Sequence, residues 1–332
     1  MVAAQSSSVV GIVAAYKRPA MLHSLLRSLI GNRCLRYVIV VDNGSDPETE
    51  NLCRSAPVPA RYERPDHNLG CGGGAARGLE LGLKDPAATH FCLFDDDAEA
   101  TPGAIDALIE DMSRASADVA MPLVLDQKGH IAWFPGLRQS LPWKVIRQSG
   151  LTPEAYRRLC GDAPVPFTWA PWPVLALSAR SVRECGYPRD DFWLCAEDLE
   201  YTLRLTHKFT GVLVPSSVCF HRPPSAGTAD GSSTADPNAL GGSHYLRFCL
   251  MLQNLSFSCT RLPHARRALR HLPGNYLRFL RTFGLHTATL RDTLLALWRG
   301  VAKGKPAGVQ GADGFKQRFL KLNSAASGQR SV

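Results

Sequence analysis

Through the first 125 residues, short apolar runs alternate with helical repeats, and no other feature of the chain narrows its fold as much. VVGIVAAY (9–16), YVIVVDNGS (37–45), FCLF (91–94) and DVAMPLVL (118–125) are short and apolar, so each reads as a buried strand, the second ending in a turn. PAMLHSLLRSLI (19–30) places Leu22, Leu25, Leu26 and Leu29 on one helical face. Thr101-Pro102 has the form of a helix N-cap followed by the first helical residue, which predicts a helix over 102–115. Parallel strands need long crossovers, usually helices. The alternation therefore predicts an α/β fold, a mostly parallel sheet flanked by helices. Ligands of such sheets sit beyond the carboxyl ends of the strands, and Asp42 and Asp95–Asp97 fall there.

With 332 residues, 45% hydrophobic and 20% charged, the chain suffices for one large domain or one domain with an appendage. No apolar run reaches the roughly 18 residues that span a bilayer. The opening MVAAQSSS lacks the features of a secretory signal. Ten cysteines without a CxxC pair or zinc-like spacing predict reduced thiols in a cytoplasmic protein. The net charge of +9 is local: residues 261–305 carry ten Lys/Arg and one acid, Asp292, leaving 28 basic and 28 acidic residues elsewhere. Such a tail suits an anionic partner, a phospholipid surface or a nucleic acid. The neutral body and the lack of a nucleic-acid motif argue against the second.

Five of the six tryptophans fall between 133 and 193. This Trp-rich segment suggests a saccharide acceptor, while Trp133, Trp169 and Trp172 equally fit core positions, and each taken alone favours the core. Residues 222–243, rich in Pro, Gly, Ser and Ala, predict a mobile loop or lid. From 244 on the pattern is helical and basic. Segments near 275–284 and 288–299 are amphipathic, the second with Leu290, Leu294, Leu297 and Trp298 on one face and Arg291 and Arg299 off it. That face either packs on the body or rests on anionic lipid.

Four stretches carry candidate chemistry. In FCLFDDDA, three adjacent carboxylates follow an apolar strand. A capped acidic turn accounts for one of them; a divalent cation accounts for the cluster. Alternate residues of an extended chain face the same way, so Asp95 and Asp97 can share a cation while Asp96 points elsewhere, as toward a sugar hydroxyl. HNLGCGGGAARG (67–78) is either a glycine-rich turn or a place where backbone approaches a ligand, with Arg77 as a phosphate partner. It is neither a P-loop nor a dinucleotide fingerprint. In FWLCAEDLEYTLRL (192–205), Glu197, Asp198 and Glu200 begin a helix. They complement its dipole, or, beside the aromatic platform of Trp193, one deprotonates a sugar hydroxyl. His221 ends a β-like segment, structural alone and a ligand in the company of the aspartates.

In this order, AAYKRP (14–19), VVDNGS (40–45), HNLG and ARG within 67–78, DDDA (95–98), EDLEYTLR (197–204) and His221 resemble the family 2 inverting glycosyltransferases of GT-A fold. The resemblance spans about residues 9–225 and continues more weakly to about 305. The triple aspartate with a downstream histidine is most similar to the rhamnosyl- and galactofuranosyltransferase branch. Cys71, the GGG run and Ala196 depart from the pattern. The resemblance implies a GT-A domain over 1–243, with a nucleotide-sugar half to about 125 and an acceptor half from 126, then a helical basic region over 244–332. It implies that Tyr16, Arg18, Asn68 and Arg77 line the donor pocket. Asp42 would contact the base and Asp96 the ribose or sugar. Asp95, Asp97 and His221 would hold Mn²⁺ or Mg²⁺ on the diphosphate, Asp198 would be the general base, and Trp193, Glu197 and Trp169 would meet the acceptor. The implied partners are a UDP- or dTDP-sugar, of galactofuranose or rhamnose, and a glycan or lipid-linked acceptor. The implied location is the cytoplasm, peripheral on the inner membrane face.

Two rivals remain at this level. A sugar-nucleotidyltransferase shares the α/β domain and metal carboxylates, but AAYKRPAML lacks the glycine-rich loop expected after its first strand. A non-catalytic relative that binds nucleic acid or membrane would not need the set Asp95–Asp97, Asp198 and His221.

Overall fold

The structure, a computed structural model, describes residues 7–138, 150–222, 249–258, 260–261 and 287–301. It divides into two compact units. The first comprises Met1–Asn68, Gly74–Pro188 and Tyr201–Pro223; the second comprises Leu69–Gly73, Arg189–Glu200 and Pro224–Val332.

The first unit is built on one sheet. Its strands are β1 (Val9–Ala15), β2 (Leu35–Asp42), β3 (Ala60–Glu63), β4 (His90–Phe94), β5 (Ala98–Ala100), β6 (Val119–Leu125), β7 (Ile131–Trp133), β8 (Gly136–Leu137), β9 (Val165–Trp169), β10 (Val174–Ser178) and β11 (Gly211–His221). The spatial order is β3-β2-β1-β4-β10-β6-β11-β9-β8, with β5 paired to β11 and β7 to β6. β3, β2, β1 and β4 run parallel. β10 is antiparallel to both its neighbours, and β6 and β11 run parallel to each other, so β3, β2, β1, β4, β6 and β11 share one direction. β1 has β2 on one side and β4 on the other, which makes the gap between β1 and β4 a topological switch point.

The expected strands form because their alternate and continuous apolar residues are buried on both faces, as Val9, Val10, Ile12 and Val13 are in β1. The helix Pro19–Ser28 turns Leu22, Leu25 and Leu26 inward, as its spacing predicts, and Leu29 beyond it is also buried. Thr101 does not cap the next helix. Its hydroxyl donates to the Val218 carbonyl at 2.8 Å, and the helix Ala104–Arg114 begins after Gly103, at φ +72°. A partner on β11 outcompetes the local cap. The helix Gly70–Gly82 lies flat on β1: a Cβ at Gly78 would stand 2.3 Å from Ile12 Cγ2, and one at Gly74 2.8 Å from Ala14 Cβ. Trp172 is buried and meets Tyr201 edge-on at 6.2 Å, as a core residue should.

In the second unit, the helix over 249–258 buries Cys249, Leu250, Leu252, Leu255 and Phe257. The helix Thr287–Val301 packs on it through Thr293, Ala296 and Gly300, and a Cβ at Gly300 would lie 2.4 Å from the Gln253 carbonyl oxygen. Of the face marked by the sequence, Leu294 and Trp298 are not the residues that pack. Leu294 is 64% exposed, Trp298 49% and Val301 49%, because small residues let two helix backbones approach and large ones do not. The segments 275–284 and 223–243 lie outside the described residues.

Candidate active site

The shared strand direction brings chain-distant residues to one edge of the first unit. β1 ends at Ala15, and the loop after it carries Tyr16, Lys17 and Arg18. β4 ends at Phe94, ahead of Asp95–Asp97. The chain then doubles back as β5, antiparallel to β11, and this register sets His221 opposite Ala98. The Arg222 amide extends the pairing by donating to the Asp97 carbonyl at 2.9 Å.

His221 Nε2 stands 3.1 Å from Asp97 Oδ1 and 3.5 Å from Asp95 Oδ2. Ligand atoms of all three side chains lie within 4.8 Å of one another. Asp97 Oδ1 is buried without a well-aligned hydrogen bond. Two carboxylates and an imidazole, one carboxylate oxygen left for a further partner, fit a hard divalent cation. Asp96 faces the other way, but the cause is a turn rather than the extended chain the sequence predicts: the Ala98 amide donates to the Asp95 carbonyl at 3.1 Å. The partners of Asp96 are the Arg18 guanidinium and the Tyr16 amide, the latter at 3.3 Å. Arg18 also donates to Asp97 Oδ2 at 2.7 Å. Arg18 occupies the N-cap position of its helix without capping it, which leaves the guanidinium for the aspartates.

The electrostatics follow from this crowding. Burial pushes the Asp96 carboxyl up to about 7, against the pull of Arg18. Burial also raises Asp95. At Asp97, burial is overcome by the His221 hydrogen bond and the Arg18 charge, and its pKa falls below the usual carboxylate range. At His221, burial is overcome by the two carboxylates, and its pKa is held up at about 9. Asp95 and Asp97 thus favour the charged imidazole, while the Trp133 indole N–H, 3.3 Å from Nδ1, favours the neutral one. The unfolded imidazole titrates near ~6.5, so this pairing stabilises the metal-free protein fully below that pH and is lost as pH rises through 9. The contribution is at most about 3 kcal/mol. Urea unfolding in EDTA will show stability falling between pH 6.5 and 9, and His221→Gln will flatten that slope; a slope unchanged by the substitution would assign it elsewhere.

Trp133 is the residue that sequence reasoning missed. The indole is 40% exposed rather than in the core. It meets the His221 ring edge-on at 5.6 Å, with Nε1 3.3 Å from Nδ1. The turn after β6 returns the chain as β7 and brings Trp133 there, a placement with no local motif. Arg222 was missed likewise and pairs with Glu99 at 3.3 Å.

Other expected donor residues sit elsewhere in the first unit. Asp42 is fully buried and accepts from the Gly44 amide (2.9 Å), the Asp46 amide (2.7 Å) and the Tyr62 hydroxyl (3.0 Å), so its carboxylate closes the turn after β2. Arg77 is held by Glu63 at 2.7 Å and Glu80 at 2.8 Å. Asn68 is half-buried, Tyr16 is 47% exposed, and Trp169 is half-buried in β9 with its indole against Gly136.

The second unit holds the expected base. The glycine run packs on the segment ahead of it: a Cβ at Gly70 would lie 2.0 Å from the Trp193 carbonyl oxygen, and one at Gly72 2.6 Å from that of Phe192. The Cys71 amide donates to the Trp193 carbonyl at 2.9 Å. These glycines thus admit a neighbouring backbone, where the sequence left open approach to a ligand. Cys195 and Ala196 follow at φ +68° and +64°. A left-handed conformation costs a residue with a Cβ roughly 1–2 kcal/mol and persists only where surroundings hold it. The helix Glu197–Lys208 then starts. Glu197 is buried and Asp198 is half-exposed, so Asp198 is the carboxylate better placed to meet a solute. Trp193 is half-buried beside this turn.

Comparison with known proteins agrees with this geometry. The galactofuranosyltransferase GlfT1 of Mycolicibacterium smegmatis is 31% identical over 141 residues, 42% of this chain and 46% of that protein. The chain thus spans about half the length of this curated relative. The crystal structure of S. aureus TarS 1-349 superposes with a TM-score of 0.54 at 12% identity, over 96% of this chain and 92% of that one. The same protein in complex with UDP-GlcNAc gives 0.52 at 13% identity, over the same shares. These likenesses show the GT-A fold. The model of glycosyl transferase family 2 matches residues 11–167, which span β1, the three aspartates and Trp133.

Proposed function

We propose that the protein is an inverting glycosyltransferase that moves galactofuranose or rhamnose from a nucleoside-diphosphate sugar to a saccharide or lipid-linked glycan. The observation that carries this reading is the convergence of Asp95, Asp97 and His221 at the carboxyl edge of the sheet, within 4.8 Å. The galactofuranosyltransferase relative supports the first sugar, and the UDP-GlcNAc complex of the TarS fold supports a uridine donor. Asp95, Asp97 and neutral His221 would hold Mn²⁺ or Mg²⁺, which when bound stabilises the charge that develops on a leaving diphosphate. Tyr16, Arg18, Asp42, Asn68, Arg77 and Asp96 line or shape the donor site. Trp193, Glu197 and Trp169 meet the acceptor.

Asp198 takes the proton of the acceptor hydroxyl as that oxygen attacks the anomeric carbon. The bond from this carbon to the diphosphate breaks in the same displacement, which inverts the stereochemistry. No protein nucleophile is needed. The reading divides the chain into a nucleotide-sugar half to about residue 125, an acceptor half to 243, and a basic C-terminal region. Calorimetric titration of UDP and dTDP, each with Mn²⁺ and with EDTA, tests it. One nucleotide binding only with metal is the expected result; neither binding under any condition would overturn the donor class.

The C-terminal partner in this reading is an anionic membrane on the cytoplasmic side. Leu294, Trp298 and Val301 form an exposed apolar ridge at i, i+4 and i+7, in a region with ten Lys/Arg and one acid between 261 and 305. Each basic residue near an anionic surface contributes about 1 kcal/mol. Sedimentation with phosphatidylglycerol vesicles will show binding that falls about tenfold or more in a Leu294→Ser, Trp298→Ser variant, given roughly 1.5–3 kcal/mol for each large apolar side chain withdrawn from water. Equal binding to neutral vesicles would remove the electrostatic part of this assignment.

A further inference from the structure

The turn ahead of Asp198 holds two successive residues, Cys195 and Ala196, in the left-handed region although neither is glycine. Such a turn needs external support, and its carbonyls show where the support comes from. The Trp193 carbonyl accepts from the Cys71 amide at 2.9 Å, and the Ala196 carbonyl accepts from the Glu200 amide at 3.0 Å, closing the first helical turn. The two carbonyls between them, of Leu194 and Cys195, both accept from one side-chain amide. Asn254 Nδ2 lies 3.2 Å from the first and 2.7 Å from the second. Asn254 is fully buried in the helix over 249–258.

One NH₂ group reaches two successive carbonyls only when both point to the same side. Helical backbone of either hand does this; extended backbone alternates them. The Asn254 amide therefore selects the left-handed conformation that Cys195 would leave if it were removed. Where this turn ends, the helix Glu197–Lys208 begins, and the start of that helix sets the direction of Asp198. We propose that Asn254 is a positioning residue, which from the C-terminal region holds the turn 194–196 and thereby aims the Asp198 carboxylate. The catalytic half of this statement rests on the reading of Asp198 as the base; the conformational half does not.

Phe192 and Phe257 meet edge-on at 5.6 Å, and the Arg189 guanidinium stands 4.9 Å from the Phe257 ring centre. These contacts keep the helix against residues 189–192 when the amide is changed, so Asn254→Ala perturbs the turn more than the packing around it. Replacing Cys195 with glycine removes the steric penalty that Asn254 offsets.

The test uses the full chain with Mn²⁺, with UDP as the binding probe and UDP-galactofuranose with a galactoside acceptor for turnover. In Asn254→Ala, hydrogen exchange of amides 194–200 will rise at least tenfold. Turnover will fall about 10²-fold, the size of effect expected when a reacting group is misplaced by about 1 Å. Metal-dependent UDP affinity and the donor KM will stay within about twofold. Adding Cys195→Gly to Asn254→Ala will restore slow exchange and most of the kcat, measured against Cys195→Gly alone; a purely structural loss would move UDP binding as well and would not be rescued at this position.

Unchanged exchange at 194–200 would overturn the proposal, as would faster exchange with unchanged kcat. If Asn254→Ala does not fold, Asn254→Ser, which keeps a shorter donor, takes its place with the same expected directions. A wild-type protein without turnover would count against the function reading. The exchange arm then still decides whether Asn254 holds the turn.

Discussion

Asp198→Asn is expected to lower sugar transfer by about 10²- to 10⁴-fold, the range that a positioned general base contributes. The substitution keeps size and hydrogen-bonding shape but removes the ability to take a proton. Asp198 is half-exposed at the surface of the second unit and no buried charge is left behind, so the fold should tolerate the change. UDP affinity in Mn²⁺ should be nearly unaltered, because the candidate ligands Asp95, Asp97 and His221 all belong to the first unit. Initial rates and calorimetry on the same preparation separate the two quantities. A variant that transfers sugar at the wild-type rate would remove Asp198 from the mechanism.

The second large effect lies at Asp97. Asp97→Asn is expected to weaken Mn²⁺-dependent nucleotide binding by about 100-fold or more, since a carboxylate ligand is replaced by a neutral one. Asp97 also pairs with Arg18 at 2.7 Å and with His221 at 3.1 Å, so the metal-free protein should lose stability too. Breaking a buried ion pair from one side costs about 3–5 kcal/mol. Arg18 keeps Asp96, which places the expected loss at or below the lower figure. Binding measured well below the unfolding temperature distinguishes the two effects. Unchanged UDP affinity in Mn²⁺ would take the cation away from this cluster.

Much of this site can be read from the chain. An apolar strand that runs into charged residues states where the strand ends, and parallel strands share the edge at which they end. Asp95–Asp97 could therefore be placed at that edge, and the family resemblance joined His221 to them. An extended chain predicts that Asp96 faces away from its neighbours, and this comes instead from the turn at Asp95–Ala98.

Its companions could not be read. Arg18 and Asp96 are 78 residues apart, and Trp133 and His221 are 88 apart. No periodicity links such pairs. The glycine run shows the same limit. Its composition says that something approaches closely, and only the fold shows that the approaching groups are the carbonyls of Phe192 and Trp193. On the helix Thr287–Val301, periodicity marked Leu294 and Trp298, while the packing chose Thr293, Ala296 and Gly300.

The sequence by itself determined the first strands and helices, a mostly parallel sheet and the carboxylates at strand ends, because burial of apolar side chains and the reach of a crossover are local properties of the chain. The tertiary structure alone decided the partners: Arg18 on Asp96 and Asp97, Trp133 on His221, Asn254 on the turn before Asp198. Each arises where segments far apart in sequence meet. Which groups pair depends on distances that only the folded chain sets.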